Sequence, residues 1–363
     1  MKKKLQRNKL DRHSELKSRA KAKRNAVIPP EHSTVATLQM VAHEAGVSPS
    51  TVSRILNGTA RVRPAKQQAV AAAISKLQFM PNPVAQSLAR GKTKTVGVIT
   101  QALDSPYYGA ALTAIEQALL RADYSPLFAS GHWREKDERR AIDQLMSRRV
   151  DGIILLTSCL EDDELLELSR KTPVIVTGRL ITGGQILALD VDSTAGARIL
   201  TEYLIDQGHQ RIGFIGGPKH HPDALQRLAG YTQALQARKI PLDPRWLVEG
   251  DYLESGGFDA TQELLSRHLN LSAIFAANDQ MAHGAMVALY RAGLSVPGDI
   301  SVAGFDDLPS SAFTVPPLTS VHRSIGQMGT QCAMAIIDLI EKRTPILKPL
   351  NATLAIREST KRV

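Results

Sequence analysis

Residues Thr37 to Asn57, TLQMVAHEAGVSPSTVSRILN, decide how the rest of the chain is read. Leu38, Val41, Ala42 and Ala45 recur at three- and four-residue spacing, which gives a first helix a single apolar face. Gly46 ends it, because a tight turn is cheapest at a residue without a Cβ. Ser48 then offers a capping hydroxyl, and Pro49 fills the first helical position, where a missing N–H costs nothing. Val52, Ile55 and Leu56 form the inner side of this second helix and leave Ser50, Arg54 and Asn57 together on the outer side. Two readings fit such a pair: an ordinary helical hairpin, or a helix–turn–helix that lays its second helix in the DNA major groove. There an arginine reaches guanine O6 and N7 with two hydrogen bonds. A third amphipathic stretch from Pro64, with Ala69, Val70, Ala73, Ile74 and Leu77 on one face, closes a small three-helix core and favours the second reading.

The charge agrees with it. Residues before Thr37 carry eleven Lys and Arg against three Asp and Glu, and Thr37 to Arg90 carry six against one; with a whole-chain net charge of +10, everything after Arg90 is left at −3. Positive charge at one end is the footprint expected of a phosphate-binding surface. Residues 1–36 hold no apolar run of signal-peptide length, so no export is expected. They read either as a basic arm that adds non-specific DNA affinity, or as a solvated tail or misassigned start. Only Cys159 and Cys332 are present, far apart, which implies neither a disulfide framework nor a CxxC metal site and suits a reducing cytoplasm. With 363 residues and 43% hydrophobic content, more than one domain with a sizeable core is expected.

From Thr95 the pattern changes to short β-rich runs alternating with helical stretches, the mark of parallel sheets with crossover helices. Val96–Thr100, Pro126–Ala129, Gly152–Thr157 and Val174–Thr177 read as strands, with helices near Gly109–Arg121, Glu135–Ser147 and Asp162–Arg170. A second series follows: strands Arg211–Gly216, Ala273–Ala276 and Ser301–Phe305, with helices Ala224–Arg238 and Asp279–Ala292. Helix Gly326–Glu341 and a last strand near Asn351–Arg357 complete the body.

Three sets of residues together carry a family resemblance: VAxxAGVSxxTVSRxLNG at Val41–Gly58, the PNxxAxxLxxGxTxxxGVI run from Pro81, and the strand-end segments below. The chain from Thr37 onward resembles the lactose-repressor/galactose-repressor (LacI/GalR) family of bacterial transcription regulators. The resemblance implies an all-α helix–turn–helix DNA-binding domain at 37–82, and a hinge helix and linker at 83–93. It also implies, at 94–363, an α/β effector-binding and dimerisation domain like periplasmic binding proteins, with two doubly wound parallel-sheet lobes. Residues 1–36 are then an extension beyond the family pattern. Carried over by position, Pro49, Ser50 and Arg54 face base edges, Ser48, Thr51, Ser53 and Asn57 meet phosphates or lock the helix, and Arg61 adds a contact. For Ser48, capping alone is a sufficient explanation. Arg63 stands where a serine often caps the third helix, so that cap is weaker or water-mediated. The segment from Pro83 to Ala89 is too short to be a stable helix alone. The resemblance makes it fold over the operator's minor groove, with Ala85 beside it and Leu88 wedged into a base step.

The resemblance places chain crossovers near Asp192, His322–Ser324 and Pro349, and a ligand between the lobes. Ligands of open α/β sheets lie beyond the carboxyl ends of strands. The effector candidates there are Tyr107 and Tyr108 in ALDSPYYG, Arg179 in VTGR, Arg227 in DALQRLAGY, Tyr252 in EGDY, Asn278 in AANDQMAHGA and Asp306 in AGFDDL. Aspartate and asparagine suit vicinal hydroxyls while aromatics cover a sugar's less polar face. Each could instead be a cap, a turn or a packed ring. Gly178 stands where many relatives carry an aspartate, which removes one carboxylate. No heptad tail follows the last strand, so a homodimer on a palindromic operator is expected, with a small polar effector, a sugar or sugar derivative, and no cofactor. A transport binding protein would share the bilobal part but have no use for Thr37–Asn57. Catalysis is not expected: there is no GxxxxGK or GxSxG motif, and His220–His221 with Asp223 lacks a third metal ligand and reads as a solvated loop.

Overall fold

The computed structural model describes residues 36–57, 62–80, 91–189, 192–219 and 221–363. Residues 1–35, Arg61, and the expected hinge with Ala85 and Leu88 lie outside them. The chain divides after residue 90 into two compact units. In the first, α1 (Leu38–Glu44), α2 (Pro49–Leu56) and α3 (Pro64–Leu77) enclose Val41, Ala42, Val52, Val70 and Ala73, with Phe79 closing the end. Ile55, Leu56, Ile74 and Leu77 pack on this core, so the apolar spacing of the sequence is the packing face. The Thr37 hydroxyl accepts the Met40 N–H and the Ser48 hydroxyl accepts that of Thr51, while Arg63 makes no side-chain cap for α3. Gly46 sits at φ +63, the left-handed turn expected of it.

The second unit holds two sheets. In the first lobe β1 (Thr95–Thr100), β2 (Ser125–Ser130), β3 (Gly152–Leu156), β4 (Val174–Thr177) and β5 (Ile186–Leu189) run parallel in the order β2-β1-β3-β4-β5. Its helices are α4 (Pro106–Arg121), α5 (Glu135–Ser147) and α6 (Asp162–Ser169). The second lobe follows with α7 (Ser193–Asp206), β6 (Ile212–Gly216), α8 (Pro222–Ala237), β7 (Leu247–Glu249), α9 (Glu254–Ser266), β8 (Ala273–Ala276), α10 (Asp279–Arg291), β9 (Ser301–Asp306) and β10 (Thr319–His322). Its sheet order is β11-β10-β9-β8-β6-β7, parallel except for the last strand, β11 (Thr353–Ala355), against β10. Strands β3, β4, β6, β8 and β9 are buried throughout, as strands covered by helices on both faces must be.

The crossovers fall where expected. After β5 the chain enters α7, whose Ala197, Leu200 and Leu204 join the second lobe's core. After β10 it returns as α11 (Ile325–Ile340), whose Met328, Cys332, Ala333 and Ile336 pack with Val96, Ile115 and Ile154 of the first lobe. It then crosses back to deliver Leu354 to the second. No described helix is long and apolar enough to cross a membrane. Five elements went unread in sequence: β5, α7, β7, α9 and β10. In α9, the Gly256–Gly257 pair looks like a turn, but Gly257 is where the helix meets the backbone of Met281 in α10. Gly284 of α10 is held just as closely by the Glu254 carbonyl and Phe258 nitrogen, which leaves no room for a Cβ. Gly284→Ala is therefore expected to cost about 2 kcal/mol of stability or more, read as a lower denaturation midpoint with unchanged slope.

Candidate functional site

In the first unit, α2 presents Pro49, Ser50 and Arg54 as exposed residues on the side away from Val52, with Thr51, Ser53 and Asn57 half-buried beside them. The Ser48 hydroxyl lies 2.9 Å from that of Ser50 and 2.8 Å from that of Thr51, so three hydroxyls gather at the start of the helix. Asn57 Nδ2 donates to Ser53 Oγ at 3.4 Å, which fixes the last turn. Ser48 is thus both cap and surface group, and its capping role needs no ligand.

In the second unit, a cleft of about 900 Å³ opens between the two lobes, lined by loops and helix starts that follow the carboxyl ends of β1–β4 on one side and β6–β9 on the other. All seven residues singled out in sequence for an effector line it: Tyr107, Tyr108, Arg179, Arg227, Tyr252, Asn278 and Asp306. They are not equivalent. Tyr107 and Tyr108 lie in the first turn of α4, which starts at Pro106 and not at Gly109 as the sequence suggested. Tyr108 is buried, with its hydroxyl 3.4 Å from Thr157 Oγ1, and packs as the support; the half-buried Tyr107 meets it edge-on at 5.1 Å. Burial pushes the Tyr107 phenol up to about 12, against the opposing pull of Arg323.

Arg179 and Asn278 are occupied by the scaffold. Arg179 donates to the carbonyls of Ser158 (2.6 Å) and Leu160 (2.7 Å) and to Asp162 Oδ1 (2.9 Å), which ties down the loop after β3. Asn278 caps α10 by accepting the Met281 N–H and donates to the Tyr252 carbonyl at 2.9 Å. The same loop after β3 rests on buried Glu138, which accepts from Ser158 Oγ at 2.5 Å, the Cys159 N–H at 2.9 Å and Gln101 Nε2 at 3.2 Å. In sequence Glu138 sits in the charged run EKDERR that opens the helix at Glu135–Ser147.

The floor is a charged cluster. Arg227 Nη2 lies 3.2 Å from Asp306 Oδ1 and 3.6 Å from Asp223 Oδ2, and Nη1 donates to the Ala277 carbonyl. Arg323, missed in sequence, adds a second guanidinium 3.5 Å from Asp306 and 3.8 Å from Asp223. The Arg227 guanidinium also stacks 4.1 Å over the Phe305 ring. Burial pushes the Asp306 carboxyl up while both arginines pull it back. Asp306 at φ +101 and Tyr252 at φ +68 hold uncommon backbone conformations.

One reading is corrected. His221 does not sit in a solvated loop: it is half-buried in the cleft, 3.9 Å from the Trp133 ring across from it and 5.4 Å from Tyr252. Its neighbour His220 lies outside the described residues. Among the described residues, neither His221 ring nitrogen has a hydrogen-bond partner, nor does the Tyr252 hydroxyl. Trp133, also unread in sequence, is held by its N–H on Gln101 Oε1 at 2.9 Å. Burial lowers the His221 imidazole to about 4, against the opposing pull of Asp223. A histidine held low contributes stability above its ordinary 6.5 and loses it as the pH falls toward 4. The melting-temperature difference between wild type and His221→Gln should therefore be flat above that upper value and shift in the variant's favour below it.

Residues 37–82 match the bacterial regulatory proteins of the lacI family, and residues 93–356 match the periplasmic binding proteins and sugar binding domain of LacI family. The HTH-type transcriptional regulator GalR of Escherichia coli (strain K12) is 36% identical over 328 residues, 90% of this chain and 96% of that protein. The Lac repressor dimer bound to operator and the anti-inducer ONPF superposes with TM-score 0.82 at 29% identity, over 90% of this chain and 99% of the other. A transcriptional regulator CelR–cellobiose complex gives 0.67 at 33% identity, over 89% and 99%. With a recognition helix in one unit, a bilobal cleft in the other and matches that together span nearly all of residues 37–356, the chain belongs to the LacI family of bacterial transcription regulators.

Proposed function

We propose that this regulator is a repressor whose affinity for a palindromic operator is set by a small polar effector held in the cleft of its second unit. The observation that carries the reading is the convergence of Tyr107, Arg227, Tyr252 and Asp306 on one cleft at the strand ends of both lobes. A ligand touching both lobes binds one relative lobe placement better than another, and so couples to whatever the lobes move. Such coupling is worth about 1–3 kcal/mol, or roughly 5- to 150-fold in operator affinity. The working form is a homodimer, consistent with the Lac repressor dimer it resembles, with residues 37–82 reading DNA, 83–93 as the hinge carrying Ala85 and Leu88, and 94–363 binding effector. Arg61 adds a DNA contact beside the second helix. The site binds its ligand without turning it over, and the protein works where its operator is, in the cytoplasm.

The test is thermal melting of the chain from about Thr93 onward against sugars, sugar acids, sugar phosphates and purines, followed by operator titration with any ligand that raises the midpoint. A ligand that stabilises the domain but leaves operator affinity unchanged sinks the coupling. The basic extension has its own test. Removing residues 1–36, with their eleven Lys and Arg, should weaken binding to every DNA sequence alike and flatten the dependence of log K on log salt. An unchanged slope means the extension makes no phosphate contacts.

A further inference from the structure

Helices α4 and α11 lie side by side and run the same way, and three contacts fix their register. At the cleft end the Arg323 guanidinium, just before α11, sits 5.7 Å over the ring of Tyr107 in the first turn of α4. Midway, Gly329 lies against the backbone of Ala111 with no room for a Cβ. Just past the far ends of both helices, the Tyr124 hydroxyl donates to Glu341 Oε1 at 2.8 Å. Between these contacts Ile115 and Leu119 share one core with Cys332 and Ile336. Each helix has 16 residues, which at 1.5 Å per residue makes about 24 Å. Close-packed elements shift as blocks before they deform, so the pair behaves as a rod.

The two ends of the rod meet different parts of the regulator. At one end Tyr107 lines the cleft, and buried Arg323 faces Asp223 and Asp306, which line the cleft from the second lobe. At the other end Glu341 Oε2 lies 3.0 Å from Lys92 Nζ and Oε1 lies 3.7 Å from Lys94 Nζ. Lys92 also donates to the Ile340 carbonyl at 3.4 Å, and Lys94 sits 4.1 Å over the Tyr124 ring. The Thr93 and Lys94 N–H groups donate to the Asp151 carboxylate at 2.9 and 2.8 Å. Gly91 opens the second unit, so these are the residues through which the chain arrives from the DNA-reading unit. We propose that α4 and α11 carry a displacement at the cleft, as one rod, to residues 92–94, and that Glu341 is the positioning residue that grips the chain there. This rests on the effector reading above and adds to it the element that transmits.

The experiment uses the full chain as wild type, Glu341→Gln, Tyr107→Ala and the double variant. Its readouts are amide hydrogen exchange over residues 91–95 and affinity for a palindromic duplex that wild type enriches from randomised DNA. Glu341→Gln keeps an acceptor for Tyr124 and removes only half-exposed ion pairs, so the melting midpoint should stay near wild type. Exchange at 91–95 should quicken by roughly tenfold, and duplex affinity should change by about fivefold or more. Tyr107→Ala, a rod's length away, should also quicken exchange at 91–95, and its effect on duplex affinity should vanish in the Glu341→Gln background. Distant sites without a shared element ordinarily add. Tyr107→Leu, which keeps apolar bulk, replaces alanine if the latter lowers the melting midpoint. Exchange at 91–95 that ignores the Tyr107 change, or affinity effects that add, overturns the rod; a Glu341→Gln variant that only melts lower does the same. Should no duplex be enriched, the exchange response alone decides. Long-range exchange in a chain whose cleft binds none of the sugars, sugar acids, sugar phosphates or purines keeps the rod and sinks the effector reading. An effector found without that response does the reverse.

Discussion

Arg227→Ala is expected to weaken effector binding by about one to two decades and to destabilise the second unit. The side chain is 3% exposed and joins four things at once: Asp306, Asp223, the Ala277 carbonyl at the end of β8, and the Phe305 face. Its loss leaves two buried carboxylates facing Arg323 alone. Removing one partner of a buried ion pair costs roughly 3–5 kcal/mol, because the other charge stays behind without compensation. If half of that appears in the ligand-bound state, effector affinity falls by about one to two decades. Arg227→Lys separates the causes. It restores a positive charge, so much of the stability should return, but an ammonium cannot reproduce the guanidinium's planar fork or its stacking on Phe305. Equal recovery of melting temperature and effector affinity in the lysine variant would show that charge alone matters, and would contradict the geometric role given to the fork.

The DNA-reading unit was legible because its rules are local. Apolar spacing, a capping serine, a proline at the first helical position and a glycine at the turn all lie within one short stretch, and each reappears in the structure as a contact or an angle. The central strands were legible for a related reason. Runs such as GIILL and AIFA are apolar at every position because helices cover both faces of their sheets. The effector candidates came from the strand ends and the resemblance, and all seven line the cleft. What sequence could not supply was the division of labour among them, since Asn278 and Arg179 line the cleft while serving the scaffold. Trp133 and Arg323 escaped notice, and His221 was misread as solvated, because each gains its meaning from a neighbour more than eighty residues away in the chain: His221 and Trp133 for each other, and Asp223 for Arg323. The only hint for Arg323 was a charged residue directly after a strand whose other members are buried or half-polar. Gly257 lies in a helix that went unread, since glycine marks turns in sequence and here a close helix crossing in space.

Arg54→Ala should have the largest effect on which DNA the protein chooses. Arg54 is exposed on α2, one turn after Ser50 on the same outer face, and the helix is fixed beneath it by Val52 in the core. A bidentate contact to a guanine is worth about 1–3 kcal/mol of discrimination against the wrong base, and truncation should remove it at one position of each half-site. Because a homodimer uses the contact twice, the full operator should lose roughly twice that, provided the half-sites contribute additively. Arg54→Lys keeps the charge but loses the fork, so it should hold overall affinity better than alanine while still relaxing the base preference. Ser48→Ala provides the contrast, since it removes the α2 cap, costing about 1 kcal/mol of stability, together with two hydroxyl contacts. Its effect on binding should be the same for every operator variant. Titrating each protein against a set of operators changed one base pair at a time tells these apart. A preference profile for Arg54→Ala that runs parallel to wild type at all positions would mean the arginine holds phosphate, and base readout would have to pass to Ser50 and its neighbours.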